Sequence, residues 1–507
     1  MTSPWTLRAL LQSALDVQRP DVPDVAVRGV AQALDQVVPG SVFVARVGRR
    51  VDAHDLVAAA LAAGAVCVVG TRDQTRVPGS DVPYVRVPDD RWATSALAAA
   101  FHDHPSRALR TIGVTGTDGK TTTATMLHHL LQGDDTAPVA GLLASTGVRI
   151  GREERTLPGH FTTPEATEVH AMLAAMRDAG ATSAVVESSS HGFALQRLEH
   201  VAYTLGVWTT FSPEHLDDHG TLEAYREAKL TLMRRSPLAI LNRDDPSFEA
   251  FAAAARAVRS YGEHPRADVR AVDVRLGAAG IAFELVAPGG EHHQVTLPMV
   301  GAFNVHNALA ALAAAHAQGL PWAEGVRRLA SFAGVPGRMQ VAGAVPVTVI
   351  VDFAHTGPAL AKALAAVHPE PGGRRIVVIG AAGERDPGKR VPLAEAAVTG
   401  ADLAIFTEED HRSEDVDAIL ATMAAGAEAA GAREGERFLR VRDRREAIRR
   451  AVGAARAGDV VLLCGKGHER TLERGEETIA WDELAEARAA LAHLGRARHG
   501  TTGPADS

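Results

Sequence analysis

Short apolar runs alternate with longer, helix-patterned stretches along most of the chain. Between residues 108 and 336 the runs "TIGVTG", "SAVVES", "TLGVWTT" and "LAILN" are brief and rich in β-branched residues. They are apolar at both odd and even positions, as strands buried on both faces require. Amphipathic stretches separate them, and Met126, Leu127, Leu130 and Leu131 fall on one stripe at helical spacing. The helix "NVHNALAALAAAHAQG" closes this segment, and "GVPGRM" punctuates it with Pro and Gly. From 337 to 492 a second alternation carries the runs "VTVIVDF", "RIVVIGA", "LAIFTE" and "VVLLCG". Residues 1–107 hold "VFVAR", an Ala-rich helix around Leu56 to Ala63, and "AVCVVG" in a βαβ-like order, and "FHDHPSRALR" reads as a linker. The polar, Gly-rich end from 493 onward is expected to be a disordered tail. The expected fold is α/β in three domains: a small α/β domain at 1–107, a central mainly parallel sheet with helices on both faces at 108–336, and a doubly wound C-terminal domain at 337–492.

Composition narrows the class. At 507 residues the chain exceeds one ordinary core. A hydrophobic content of 46% with 22% charged residues describes a globular protein. The net charge of −8, with no Lys/Arg run, argues against nucleic acid and anionic membrane surfaces as partners. Cys67 and Cys464 are too few for a disulfide framework or a Cys-rich metal site. The most apolar stretch, "LVAAALAAGAVCVVG", is short and split by a glycine, and "MTSPWTLRALLQ" lacks a secretory pattern. A monomeric cytoplasmic enzyme acting on small molecules is expected, with no membrane insertion.

Chemistry concentrates at the ends of the expected strands. In "GVTGTDGKTTTATML" a strand runs through a Gly-rich turn into a helix, so backbone N–H groups and the helix dipole form an anion site. This makes the central domain P-loop-type, although Val114 occupies the position of the first glycine in the general pattern. Lys120 supplies a charge for phosphate oxygens, and the Thr121 hydroxyl suits nucleotide-bound magnesium. Glu187 ends "SAVVES" and reads either as a cation ligand or as a solvated strand-end carboxylate. His215, Asp217 and His219 crowd one loop, with Lys229 on the next helix. Their spacing fits no common zinc signature, and a polar capping loop is the other reading. In the Rossmann-like last segment, Asp352 and His355 follow a strand. "GAAGERDPGKR" offers Arg385, Lys389 and Arg390, and "CGKGHE" offers Lys466, His468 and Glu469. Together these groups suggest a cleft between domains.

The ordered set "TGTDGKTTT", "ESSSHGFALQR", "PEHLDDHGT", "YREAK", "GAFNVHNALAA", "VPGRM", "DFAHT", "GERDPGKR" and "GKGHE" resembles the Mur ligases, strongly over 108–492 and weakly before it. The resemblance implies an ATP- and Mg2+-dependent ligase of peptidoglycan precursor synthesis. Such an enzyme joins meso-diaminopimelate, lysine or ornithine to the D-glutamate of UDP-N-acetylmuramoyl-L-alanyl-D-glutamate through an acyl phosphate. It implies ATP contacts at Gly116, Thr117, Gly119, Lys120, Thr121, Thr122, Asn304, Asn307, Arg338, Asp352 and Lys389. Magnesium would be held by Thr121, Glu187, His215 and a carbamylated Lys229, with Lys120, Lys229 and His355 as catalytic residues. Thr162, Thr163, Ser189 and Arg197 match nucleotide-sugar contacts, and Arg385, Asp410, Arg412, Gly465 and Glu469 match the amino-acid pocket.

The chain departs from the family pattern at several positions. Ala33, Leu34 and Asp35 stand where family members commonly carry Asp-Ser-Arg, and Asp118 and Thr210 each stand where the family has Asn. In "EEDHR", the usual Asp-Asn-Pro-Arg of diaminopimelate-selecting members keeps only Arg412. Arg412 in its usual place argues for a carboxylate, while the added carboxylates lean toward the bare ammonium of lysine or ornithine. A folylpolyglutamate synthetase-like ligase on the same scaffold and a silent ATP-binding partner are the competing readings. Retention of Lys120, Glu187, His215, Lys229 and His355 speaks against the silent one.

Overall fold

The structure, a computed structural model, describes residues 5–19, 21–48, 51–134, 136–137, 139–155, 162–214, 216–277, 280–344 and 347–499. The chain forms two compact units, Met1–Arg270 with Leu309–Pro321, and Ala271–Ala308 with Trp322–Ser507.

The first unit contains two sheets. Strands Gly29–Ala31, Ser41–Ala45, Cys67–Gly70 and Tyr84–Arg86 lie side by side and all run parallel. Successive side chains alternate faces, so Val42 and Val44 enter a core with Leu7, Leu10, Leu11 and Leu97, while Phe43 and Ala45 enter another with Val57, Ala60 and Tyr84. Helices therefore cover both faces. The larger sheet runs Val258–Gly262, Ala239–Asn242, Leu205–Trp208, Arg110–Thr115, Ser183–Glu187 and Ala140–Ala144, all parallel. Antiparallel strands Gly147–Ile150 and Glu153–Arg155 extend it. Chain order reverses on either side of Arg110–Thr115, which leaves a crevice beyond its C-terminal end where parallel sheets bind ligands. The segment read as a linker is a tight corner, with Asp103 and His104 left-handed (φ 54° and 46°) ahead of the short helix Pro105–Ala108.

The second unit carries the hairpin Ile281–Val286 with His292–Leu297 and a six-stranded sheet. That sheet runs Gln340–Gly343, Thr348–Asp352, Val460–Cys464, Arg375–Ala381, Leu403–Glu408, Phe438–Arg440, and only its first strand is antiparallel. Ile350, Val377 and Ile379 pack against helices Gly357–Ala366, Arg390–Gly400 and Val416–Ala429 on one face. Val349, Val351, Ile376 and Val378 pack against helices Arg444–Ala454 and Glu483–His499 on the other. This last helix runs through 493–499, which corrects the start of the expected tail: its N-terminal part, with Ala487 and Ala490 buried, is anchored in that core. Residues 500–507 lie outside the described residues. Among the described residues no helix is long and apolar enough to cross a membrane.

Candidate active site

In the first unit the turn after Arg110–Thr115 leads directly into helix Lys120–Gln132, whose N-cap is Gly119 at φ 83°. A glycine supplies no side-chain cap, so the opening amides remain free to face an anion. Gly116 (φ 150°) packs so tightly that a Cβ there would lie 1.9 Å from Thr209 Oγ1. Lys120 Nζ donates to the Thr117 carbonyl at 2.6 Å, folding the charge over the turn. Thr121 and Thr122 are buried in the first helical turn. The substituted positions 118 and 210 meet, with Asp118 N donating to Thr210 Oγ1 at 3.0 Å.

Glu187 ends its strand only 1% exposed, so the solvated-carboxylate reading does not hold. Its Oε1 accepts from the Thr121 hydroxyl at 2.9 Å, and its Oε2 accepts from Ser145 N at 2.8 Å and Ser145 Oγ at 3.1 Å. Ser145 has no place in any motif, and the sequence reading missed it. On helix Leu222–Arg235, Lys229 is 1% exposed. Its Nζ donates to the Gly116 carbonyl at 2.6 Å and stands 4.4 Å from the Tyr225 ring centre. Burial, and next the charge of Lys120, hold this amine well below the ordinary lysine value.

The hydroxyl and carboxylate oxygens of Thr121 and Glu187 are donors a hard divalent cation takes. Among the described residues no three His, Cys, Asp or Glu side chains group as a metal site; magnesium commonly uses one or two carboxylates with phosphate oxygens and water. His215 lies outside the described residues. Asp218 and His219 lie on the short helix Leu216–His219 rather than in a loop; His219 Nε2 bonds Ser190 Oγ at 3.1 Å and Asp218 bonds His191 at 3.0 Å.

Next to Glu187 the nucleotide-sugar candidates assemble. Thr163 Oγ1 and Ser189 Oγ are 2.8 Å apart, and Arg197 Nη1 donates to the Thr163 carbonyl at 3.0 Å. Thr162 is half-buried beside them. Two further residues organise this group without having been read from the sequence. Glu165 bridges Arg197 at 2.8 Å and Arg46 at 2.7 Å, and Arg46 also donates to Gln32 Oε1 at 2.7 Å. Burial raises the Glu165 carboxyl, but the two guanidiniums outweigh it and hold the group below its usual value. Arg46 Nε is buried with no hydrogen-bond partner. A charged residue ending the apolar run "VFVAR" was the available signal.

The second unit brings together two sets. Asp352 accepts from Met339 N at 2.8 Å and Ala354 N at 2.9 Å, and burial raises its carboxyl in spite of these donors. Arg338 stands 5.0 Å from the Phe353 ring, and exposed His355 bonds the Phe353 carbonyl at 2.9 Å. Asn307 donates to Asn304 Oδ1 at 2.8 Å within helix Phe303–Ala317. Arg385 and Lys389 are exposed on the loop after Arg375–Ala381. The other set joins the strand ends at Glu408 and Cys464. Fully buried Lys466 pairs with Asp410 at 2.8 Å and Glu469 at 2.6 Å. A Cβ on Gly465 (φ 103°) would lie 2.8 Å from Glu409 Oε2. Burial pushes the Glu409 carboxyl up to about 7. Arg412 Nε pairs with Glu473 at 2.7 Å, a contact the sequence reading missed.

Comparisons with known proteins give the family of the chain. The Mur ligase middle domain matches residues 114–315, and the "Mur ligase, glutamate ligase domain" matches 337–467. The chain is 46% identical over 493 residues to the UDP-N-acetylmuramyl-tripeptide synthetase of Deinococcus radiodurans, covering 95% of this chain and 99% of that one. It is 39% identical over 486 residues to the UDP-N-acetylmuramoyl-L-alanyl-D-glutamate–2,6-diaminopimelate ligase of Geobacillus kaustophilus, covering 93% and 96%. A solved structure of a UDP-N-acetylmuramoyl-L-alanyl-D-glutamate–2,6-diaminopimelate ligase matches with TM-score 0.69 at 31% identity, covering 98% and 100%. With its two family domains in order and relatives matched along nearly its whole length, the chain belongs to the Mur ligases, ATP-dependent ligases that form amide bonds.

Proposed function

We propose that this chain joins a diamino acid (meso-diaminopimelate, lysine or ornithine) to the D-glutamate of UDP-N-acetylmuramoyl-L-alanyl-D-glutamate, with ATP and Mg2+, as a monomeric cytoplasmic enzyme of peptidoglycan precursor synthesis. The observation that carries the reading is the buried Thr121–Glu187 contact beside the phosphate turn, with the Lys229 amine against the same turn. Residues 1–107 take the uridine end, 108–336 the ATP, and 337–492 the amino acid.

A carboxylate is a poor electrophile. The γ-phosphoryl group of ATP passes to the D-glutamate γ-carboxylate, giving an acyl phosphate and ADP. The incoming amine attacks the acyl carbon, loses a proton, and expels phosphate. Two anions must approach, so the site needs positive charge and backbone donors rather than a side-chain nucleophile. Lys120 and the amides opening its helix hold the phosphates, and Gly116, Thr117, Gly119 and Thr122 shape the turn. Thr121 and Glu187 would hold magnesium, with His215 and a carbamylated Lys229 as further ligands; the ion offsets repulsion between phosphate and carboxylate. Thr162, Thr163, Ser189 and Arg197 orient the muramoyl dipeptide. Asn304, Asn307, Arg338, Asp352, His355 and Lys389 serve the nucleotide, and Arg385, Asp410, Arg412, Gly465 and Glu469 the amino acid.

A folylpolyglutamate-type reaction fits less well. Its incoming glutamate would bring a distal carboxylate to a pocket where Glu409, Asp410 and Glu469 already surround Lys466. The test is ADP release from the purified chain, with the UDP-dipeptide and the amino acid supplied singly and together. Multiple-turnover ADP release should occur only when the UDP-dipeptide and a diamino acid are both present. No release would leave the silent-partner reading, and release with folate and glutamate would replace the muramoyl one.

A further inference from the structure

We propose that Glu473 is a specificity-determining residue: by occupying the Arg412 guanidinium it makes the pocket accept a diamino acid ending in a bare ammonium, lysine or ornithine, over one ending in a carboxylate. This rests on the amino-acid pocket assigned above.

The hairpin Thr471–Arg474 with Glu477–Ala480 is tied to the Arg412 loop through its backbone. Glu473 N donates to Asp410 Oδ1 at 2.9 Å, Arg412 N donates to the Glu473 carbonyl at 3.3 Å, and Gly475 N donates to the Arg412 carbonyl at 2.7 Å. The Glu473 carboxylate is thus placed by main-chain bonds on both sides of Arg412, and it meets Arg412 Nε at 2.7 Å. Arg412 Nη1 is engaged as well, donating to the Gly383 carbonyl at 2.6 Å. Arg412 itself sits at φ 52°, a left-handed conformation that a non-glycine residue keeps only where its surroundings impose it. The fork that would grip a distal carboxylate in two places is already held by the protein.

Charge points the same way. Glu409, Asp410, Glu469 and Glu473 supply carboxyl groups to this part of the molecule, and Lys466, Arg412 and Arg444 are among the cations that face them. A ligand ammonium finds acceptors among these carboxyl groups. The zwitterionic end of diaminopimelate adds no net charge, and its carboxylate must displace Glu473 to reach Arg412. Discrimination here comes from a built-in repulsive element as much as from an attractive one.

The test compares kcat/KM for lysine, ornithine and meso-diaminopimelate with the same UDP-dipeptide, in the wild-type chain and in Glu473→Gln. The wild type should favour lysine or ornithine over diaminopimelate by about tenfold or more, the factor one charged contact commonly supplies. Glu473→Gln should move that ratio toward diaminopimelate by about tenfold or more, through a lower KM at near-constant kcat. Glu473→Ala should reproduce the shift, and adding Arg412→Ala should cancel it. A wild type that prefers diaminopimelate, a smaller shift in both folded variants, or a shift that survives loss of Arg412 would overturn the proposal alone. A wild-type chain that makes ADP only with amino acids carrying no second amine would overturn the pocket reading, and this proposal with it.

Discussion

Lys229 is the residue at which the structure and the proposed chemistry make the sharpest demand. Its side chain is 1% exposed, and among the described residues its amine has a neutral acceptor at 2.6 Å and a ring 4.4 Å away. A contact with an aromatic face is worth about 1–2 kcal/mol to an ammonium, whereas taking that charge out of water costs several. Burial and the neighbouring Lys120 therefore keep the amine well below its ordinary value and favour the neutral form. A neutral amine is the form that attacks CO2. The nitrogen–carbon bond forms, one C=O electron pair moves onto oxygen, and a proton leaves to solvent. The product carbamate would be an anion against the phosphate turn, where a divalent cation would offset its burial.

Lys229→Ala removes this group. By comparison with single electrostatic contacts in active sites, turnover should fall by about 10^2–10^3-fold, on the order of 3–4 kcal/mol. Millimolar formate or acetate should restore part of it by entering the vacated space. Lys229→Met separates function from folding. An amine depressed on folding binds fewer protons in the folded than in the unfolded chain, so between the folded value and 10.5 it weakens the fold increasingly as pH falls. Lys229→Met lacks that penalty and should melt no lower than the wild type at pH 7 while being equally inactive. The assays are steady-state ADP release, thermal melting, and carbon-13 NMR under labelled bicarbonate. An active enzyme with no carbamate resonance, or a folded Lys229→Ala retaining turnover within a few-fold of wild type, would refute the reasoning.

Lys120→Ala should abolish ATP turnover with the fold intact, since the lost charge is worth several kcal/mol to the transition state; near-normal ADP release would remove the phosphate-turn assignment. Arg46→Ala frees Glu165 from one of its two guanidiniums and should raise KM for the UDP-dipeptide about tenfold at similar kcat; an unchanged KM would show that this network does not position Arg197. The Glu409 carboxyl, raised from 4.5 to about 7, contributes stability that is present below 4.5 and lost as pH rises through 7, up to about 3 kcal/mol. Glu409→Gln should therefore resist urea better than wild type at pH 8 and match it at pH 4, and an equal midpoint at both pH values would refute the burial argument.

The fold was legible because its determinants are local. The runs "SVFVA" and "RIVVIGA" alternate side chains into two cores and "RTIGVT" is buried past its first residue, and doubly buried strands leave that mark in a single sequence. The phosphate turn was legible for a related reason: strand, glycines, lysine and helix are contiguous. The contacts that organise the site are otherwise. Arg46 reaches Glu165 across 119 positions, and Ser145 reaches Glu187 across 42. Each is one polar residue in a loop or at a strand end, where no periodicity operates. The family pattern carries a residue such as Arg412 onto the chain, but not the Glu473 that holds its guanidinium.

The substitutions in the phosphate turn show why matching single positions is an incomplete guide. Asp118 and Thr210 each replace an asparagine of the family pattern, and the two meet across 92 positions, Asp118 N on Thr210 Oγ1, while Thr117 N bonds the Thr210 carbonyl. One hydroxyl takes the backbone donor from the turn, so the turn keeps its bond to the neighbouring strand end. The new carboxylate is not neutral in effect. Its charge, with that of Glu214, pulls the Lys229 amine upward, against burial and Lys120, which pull it down. Because the downward causes dominate, the amine stays depressed. The substitution at 118 thus also bears on the charge of Lys229, a residue far along the chain that its position in the motif does not suggest.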